Sequence, residues 1–131
     1  MAEGVLSKRL ALGQRAESLA AAYLEERGYA ILVRNWRRPE GELDLVVGRE
    51  GLCVFVEVRS RTGTEQGHPL ETIDARKRAR VRRAARMYIE EVRPSAAVFR
   101  FDVVGVTFAL DDSPPEIVHI EDAFDGSVEP G

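Results

Sequence analysis

A chain of 131 residues, 44% apolar, with 19 Lys and Arg against 22 Asp and Glu, has the size and make-up of one globular domain with one core. No stretch approaches the ~18–20 uninterrupted apolar residues of a membrane helix, and the N-terminus lacks the apolar core of a secretion signal, so a cytoplasmic protein with no membrane partner is expected. The single cysteine, Cys53, excludes an internal disulfide and reads as a small buried side chain in an apolar strand.

The net charge of −3 conceals a segregation. From Asp111 onward there are seven acids and no Lys or Arg, which leaves 15 acids against 19 bases, a balance of +4, in residues 1–110. The chain thus divides into a basic body, residues 1–110, and an acidic C-terminal segment, residues 111–131. A basic body is compatible with an anionic partner.

In chain order, residues 6–27 predict a helix, because Ala16, Leu19, Ala20, Tyr23 and Leu24 recur at helical spacing and Gly28 suits its end. Glu17 borders that apolar stripe. "YAILVRNW" reads as a first strand and "RRPEG" as a turn. "GELDLVV" is a second strand, with Leu43, Leu45 and Val47 on one face and Glu42, Asp44 and Val46 on the other. "GREG" (Gly48–Gly51) is a hairpin connection, and "LCVFVEVRSR" is the third strand. A second helix is expected from Thr72 or Asp74, either a suitable N-cap, to Val92, with Val81, Ala85, Tyr88, Ile89 and Val92 as its apolar stripe. "AVFRFDVVGVTF" is a fourth strand, "EIVHI" (116–120) an edge strand, and residues 121–131 a poorly ordered tail. The order αβββαβ, with an optional last strand, gives an α/β fold: a mixed sheet flanked by helices, the second helix being the crossover into strand four.

Strand three poses a chemical problem. Phe55, Glu57 and Arg59 share one face of a strand otherwise rich in valine, and charges there are costly unless paired. If "GREG" closes a hairpin, pairing Val47 with Leu52 makes Glu57 a diagonal neighbour of Asp44; a shift of two puts them directly opposite. Two carboxylates that close repel unless a proton or a cation intervenes, and Mg²⁺ or Mn²⁺ suits such an oxygen pair. The plainer alternative is a same-face Glu57–Arg59 ion pair.

The second helix carries Arg76, Lys77, Arg78, Arg80, Arg82, Arg83 and Arg86 without an acid among them. It reads either as a phosphate-binding face or as a solvated surface. Arg37 and Arg38 beside Trp36 extend the basic surface; Trp36 itself suits base stacking or packing. His68 and His119 belong to no ligand spacing and read as surface or edge residues. Asp102 reads as a structural partner of Arg100 or Arg59.

The blocks "GQRAESLAAAYLEERGY", "GELDLVV", "VFVEVRSR" and "FRFDVVGV", in this order over residues 11–108, resemble the bacterial YraN-like family. That family is similar to the archaeal Holliday-junction resolvases and, more broadly, to the restriction-endonuclease-like PD-(D/E)xK nucleases, whose core is also αβββαβ. The resemblance implies a Mg²⁺- or Mn²⁺-dependent endonuclease acting on DNA, of branched or structured form, and working as a homodimer. Asp44 then stands for the nuclease Asp, Glu57 for the acid of the (D/E)xK signature, and Glu17 for the Glu of the first helix. Asp44 and Glu57 would bind the metal, and Arg76, Lys77, Arg80, Arg83, Arg37 and Arg38 the nucleic acid. Arg59 stands where the signature has Lys; a guanidinium stays charged, so Arg59 would neutralise phosphate without taking a proton from water. A non-catalytic nucleic-acid-binding module on this fold and a protein-interaction subunit are the alternatives.

Overall fold

The computed structural model describes residues 2–63 and 69–125. The elements are α1 (Ala2–Glu26), β1 (Ala30–Arg38), β2 (Gly41–Arg49), β3 (Leu52–Thr62), a 3₁₀ turn (Pro69–Thr72), α2 (Ala75–Val92), β4 (Val98–Phe108) and β5 (Glu116–Ile120). Among the described residues the strands form one five-stranded sheet in the order β1-β2-β3-β4-β5. Only β3 and β4 run parallel, and α2 is the crossover between them. The expected α/β architecture, a mixed sheet flanked by two helices and matching a restriction-endonuclease-like core, is what the chain adopts. No described helix is long and apolar enough to cross a membrane.

Alternation along the central strands supplies two apolar faces. Phe55, Phe101 and Val103 pack with Val81, Ala84, Ala85 and Tyr88 of α2. Val54, Val56, Val104 and Val106 pack with Ala16, Ala20, Ala21 and Leu24 of α1. Leu45 and Val47 follow this rule on the α1 side, but Leu43 packs with Trp36 on the α2 side. The departure occurs where β2 has left β3, since their pairing begins only at Leu45. Gly41 admits α2 to the sheet here: a Cβ at this position would stand 2.7 Å from the Arg80 carbonyl oxygen.

The β2–β3 register resolves a choice that spacing left open. The turn is Glu50–Gly51 alone, both with positive φ (47° and 80°), the geometry of a two-residue hairpin turn whose twist matches its strands. It pairs Arg49 with Leu52 and Val47 with Val54. Continued along the strands, this register sets Asp44 opposite Glu57.

Asp74 caps α2 by accepting the Lys77 backbone N–H at 2.9 Å, and the other candidate cap, Thr72, lies in the preceding turn. At the far end Arg93 is left-handed (φ 50°) and its N–H reaches the Ile89 carbonyl, with Pro94 following. The 3₁₀ turn is seated on β4: Pro69 occupies the space that a Cβ at Gly105 would fill. Part of the supposed tail is integral to the fold. The Ala123 N–H bonds to the Phe101 carbonyl, and Phe124 is buried against Phe101 with ring centroids 5.0 Å apart. One aromatic ring among acids is enough to anchor residues 121–125 through its apolar area. Residues 126–131 lie outside the described part.

Candidate active site

Glu57 is 2% exposed, on the α2 side of β3, and neither carboxylate oxygen accepts a hydrogen bond. Buried carboxylates are ordinarily well hydrogen-bonded, so this orphan requires a reason. Burial, and then repulsion from Asp44, push its pKa up to about 8, against the pull of Lys77 and Arg59. Asp44 sits where the β2 ladder ends. Its Oδ2 accepts the Val58 backbone N–H at 2.9 Å and so replaces the missing strand acceptor. Its pKa is also raised, by burial first; the Val58 N–H opposes this, and Glu17 adds to it by repulsion.

Cations approach the pair from two elements. Lys77, from the first turn of α2, places Nζ 3.4 Å from Glu57 Oε1, an ion-pair distance without hydrogen-bond geometry. Lys77 was expected to bind nucleic acid; its side chain instead turns inward to the carboxylates, because it stands in the helical row of the buried Val81 and Ala84, on the sheet-facing side of α2. Arg59 donates from Nε to Thr72 Oγ1 at 2.8 Å, and Thr72 in turn donates to the Pro69 carbonyl at 2.6 Å. The alternative of a direct Glu57–Arg59 ion pair is not realised, since Lys77 holds that place. Glu17 comes in from α1 within electrostatic reach of Asp44 and accepts from Asn35 Nδ2 at 3.0 Å. Asn35 lies within β1 at φ 52°, a conformation that Asn tolerates better than most residues.

Among the described residues no set of three or more His, Cys, Asp or Glu converges on one point where a metal could be held. The donor set is the Asp44–Glu57 pair. It fits Mg²⁺ or Mn²⁺, which commonly take one or two carboxylates and complete their shell with water and substrate phosphate. The orphaned Glu57 oxygens are the observation that favours a cation there.

The basic residues divide into two groups. Arg76, Arg80 and Arg83 form one exposed row on α2 at i, i+4, i+7 and have no ion pair among the described residues. Arg37 and Arg38 are engaged: Arg37 lies 3.3 Å from Glu42, and Arg38 forks onto Glu91 and covers the Trp36 ring at 4.1 Å. Trp36 is buried and meets Tyr88 edge-to-face, so it packs and leaves no face for a base.

A second polar cluster lies under α1. Asp102, 1% exposed, accepts both arms of Arg100 at 2.8 Å, His119 Nε2 at 2.8 Å and the Asp122 N–H at 3.0 Å. Burial opposes its ionisation, but these partners together hold its carboxyl below the usual range, and Asp102 in turn raises Arg100. The structural reading of Asp102 with Arg100 is thus what the chain shows. His119 lies on the edge strand β5, one of its two expected readings, but not at the surface: its side chain is buried against Asp102 and meets Tyr23 edge-to-face at 5.7 Å. Antiparallel pairing of His119 with Val104, two residues beyond Asp102, is the signal that would have found it. His68 lies outside the described residues. Burial pushes the Cys53 thiol up to about 11, so it is inert.

The fold and this site define a mixed α/β protein with a buried Glu57 beside a half-buried Asp44 where β2 and β3 part. The chain belongs to the family described as Uncharacterised protein family UPF0102, whose family model matches residues 16–106. It is similar to a UPF0102 protein of Anaeromyxobacter dehalogenans, 48% identical over 123 residues, covering 94% of this chain and 90% of the relative. A UPF0102 protein of Leifsonia xyli is 41% identical over 115 residues (88% and 97% covered), and one of Pseudomonas aeruginosa 46% over 114 (86% and 91%).

Proposed function

We propose that this protein is a metal-dependent nuclease that hydrolyses phosphodiesters of DNA at the Asp44–Glu57 pair. The observation that carries the proposal is Glu57 itself: a carboxyl group almost wholly removed from water, beside a second acid, with only the Lys77 ammonium near it, at 3.4 Å and outside hydrogen-bond geometry. Lys77 at 3.4 Å offsets this burial only in part, and a hard divalent cation would relieve both the burial and the repulsion from Asp44.

Asp44 and Glu57 would hold Mg²⁺ or Mn²⁺, which when bound supplies Lewis acidity toward the phosphate and a more acidic water. Asp44 is kept in place by the Val58 N–H. Arg59, held on Thr72, presents fixed positive charge to a phosphate whose charge grows in the transition state. Glu17, steadied by Asn35 and within electrostatic reach of Asp44, would orient a water. The row Arg76, Arg80 and Arg83 holds the strand by its phosphates. Branched DNA as the substrate and a homodimer as the working form belong to the same reading and rest on the resemblance to the resolvases; a cytoplasmic setting belongs to it too and rests on composition and the single cysteine. Cleavage of junction, flap and single-stranded DNA with Mn²⁺, set beside a Mn²⁺ titration by calorimetry, tests the proposal; no cleavage and no Mn²⁺ uptake by the wild-type protein sink it.

One observation favours a second reading. Arg59 cannot serve as a proton acceptor, and its guanidinium is already tied to Thr72. A module that binds metal and DNA without turnover has these properties too, and Mn²⁺ uptake with tight DNA binding but no cleavage would identify it.

A further inference from the structure

A cavity of about 440 Å³ opens between α2 and the sheet, next to the carboxylate pair and separate from it. Its volume lies within the ~300–1,000 Å³ of small-ligand pockets. The floor is aromatic: Phe55 and Phe99 stack with ring centroids 6.1 Å apart and 12° between planes, and Phe101 tilts against Phe55 at 5.3 Å. Phe55 and Phe101 are buried, but Phe99 is 37% exposed into the opening. The wall is Ala85 and Ile89 of α2. Arg82 is tied to the Asp125 carbonyl at 3.1 Å, whereas Arg86 is exposed and has no ion pair or hydrogen bond among the described residues. Asp122, from the segment after β5, is among the residues lining the cavity.

We infer that this cavity receives an unpaired nucleobase of the strand held by the nuclease site, guanine before thymine. The inference rests on the nucleic-acid reading above. A flat ring stacks on the open face of Phe99, an interaction every base can make. Base choice comes from the rim. A guanidinium matches the O6 and N7 acceptors of guanine, and a carboxylate accepts from its N–H groups. Thymine presents two carbonyls and one N–H and leaves more of that rim unpaired. Phe55 precedes Glu57 by two residues on the same face of β3, ~6–7 Å along the strand, so one nucleic-acid strand reaches both places.

Metal-free protein in EDTA keeps the test independent of cleavage. Ligand-observed NMR with 5′-dGMP and 5′-dTMP should show stronger binding of dGMP, and Phe99→Ala should abolish both signals. Fluorescence anisotropy with a guanine-containing single strand should show about ten-fold weaker binding for Phe99→Ala and several-fold for Arg86→Ala, with blunt duplex affinity changed less than about two-fold. Equal affinity of both variants and wild type for the single strand overturns the inference. So does a change in sedimentation from dimer to monomer in Phe99→Ala with nucleic-acid binding intact, because the occupant is then a second copy of the chain. Mn²⁺ titration of the same variants separates the two claims: normal Mn²⁺ uptake with no base binding removes the pocket alone, and base binding without Mn²⁺ uptake removes the nuclease reading alone.

Discussion

Lys77 Nζ stands 3.4 Å from Glu57 Oε1, and it is the one side-chain cation recorded in ion-pair contact with that buried carboxylate among the described residues. Loss of Lys77 therefore matters only when Glu57 is ionised. Lys77→Met should cost on the order of 1–3 kcal/mol at pH 9 and much less at pH 5, where Glu57 carries a proton. Urea unfolding at the two pH values measures the difference; equal losses at both would contradict it.

Glu57 also makes a pH profile. Its carboxyl holds a proton more tightly folded, up to about 8, than in the unfolded chain, near 4.5. The stability from this protonation is complete below about pH 4.5 and is lost as pH rises through about 8, so the metal-free protein should weaken across that window by up to about 5 kcal/mol. Glu57→Gln should flatten the profile and exceed wild type in stability at pH 8.5. Thermal melts in EDTA check this, and added Mn²⁺ should recover stability in wild type only.

Asp44 has two separable roles. Asn keeps an oxygen for the Val58 N–H and removes the charge; Ala removes both. Asp44→Asn should fold nearly as well as wild type and lose at least ten-fold in Mn²⁺ affinity. Asp44→Ala should lose the metal and a further ~1–2 kcal/mol from the unsatisfied N–H. Calorimetry and denaturation on both variants would distinguish them; unchanged Mn²⁺ affinity in both would remove the acid pair as a metal site.

The exposed arginine row makes a salt prediction. Replacing Arg76, Arg80 and Arg83 by Ala should weaken DNA binding for every sequence alike and reduce the slope of log affinity against log salt by up to about 3. An unaltered slope would mark the row as a solvated surface.

Arg59→Lys restores a group that can lose a proton. If the proposed site turns over slowly for want of one, this variant should cleave faster at pH 8–9 than wild type, with the same Mn²⁺ affinity. Slower cleavage in Arg59→Lys would show that the fixed charge and the Thr72 contact matter more than a titratable group.

The fold was legible because the central strands β3 and β4 alternate and each helix carries a stripe of its own, although Leu43 departs from the pattern on β2. Register was not, since "GREG" closes as a loop of four or of two residues. The actual turn sets Glu50 at positive φ, a choice nothing in a glutamate announces. Asp44 and Glu57 were within reach from spacing alone because i and i+2 share a face. The inward turn of Lys77 was hidden by six neighbouring bases, and only the rotation of α2 about its axis separates it from the exposed row. Trp36, Arg37 and Arg38 looked like one basic, aromatic surface, yet Glu91, 53 positions from Arg38, draws the arginine over the ring. Contacts made over such separations leave no local signature.

Gly105 contributes no side chain, and that emptiness governs the guanidinium on the neighbouring strand. Pro69 rests in the hollow, Thr72 hangs from Pro69, and Arg59 is moored to Thr72. A methyl group at 105 would lift the whole chain of contacts away from the sheet. The chemistry proposed for β3 is thus tunable from β4, by Gly105, which pairs with the Arg59 backbone and has no side chain of its own.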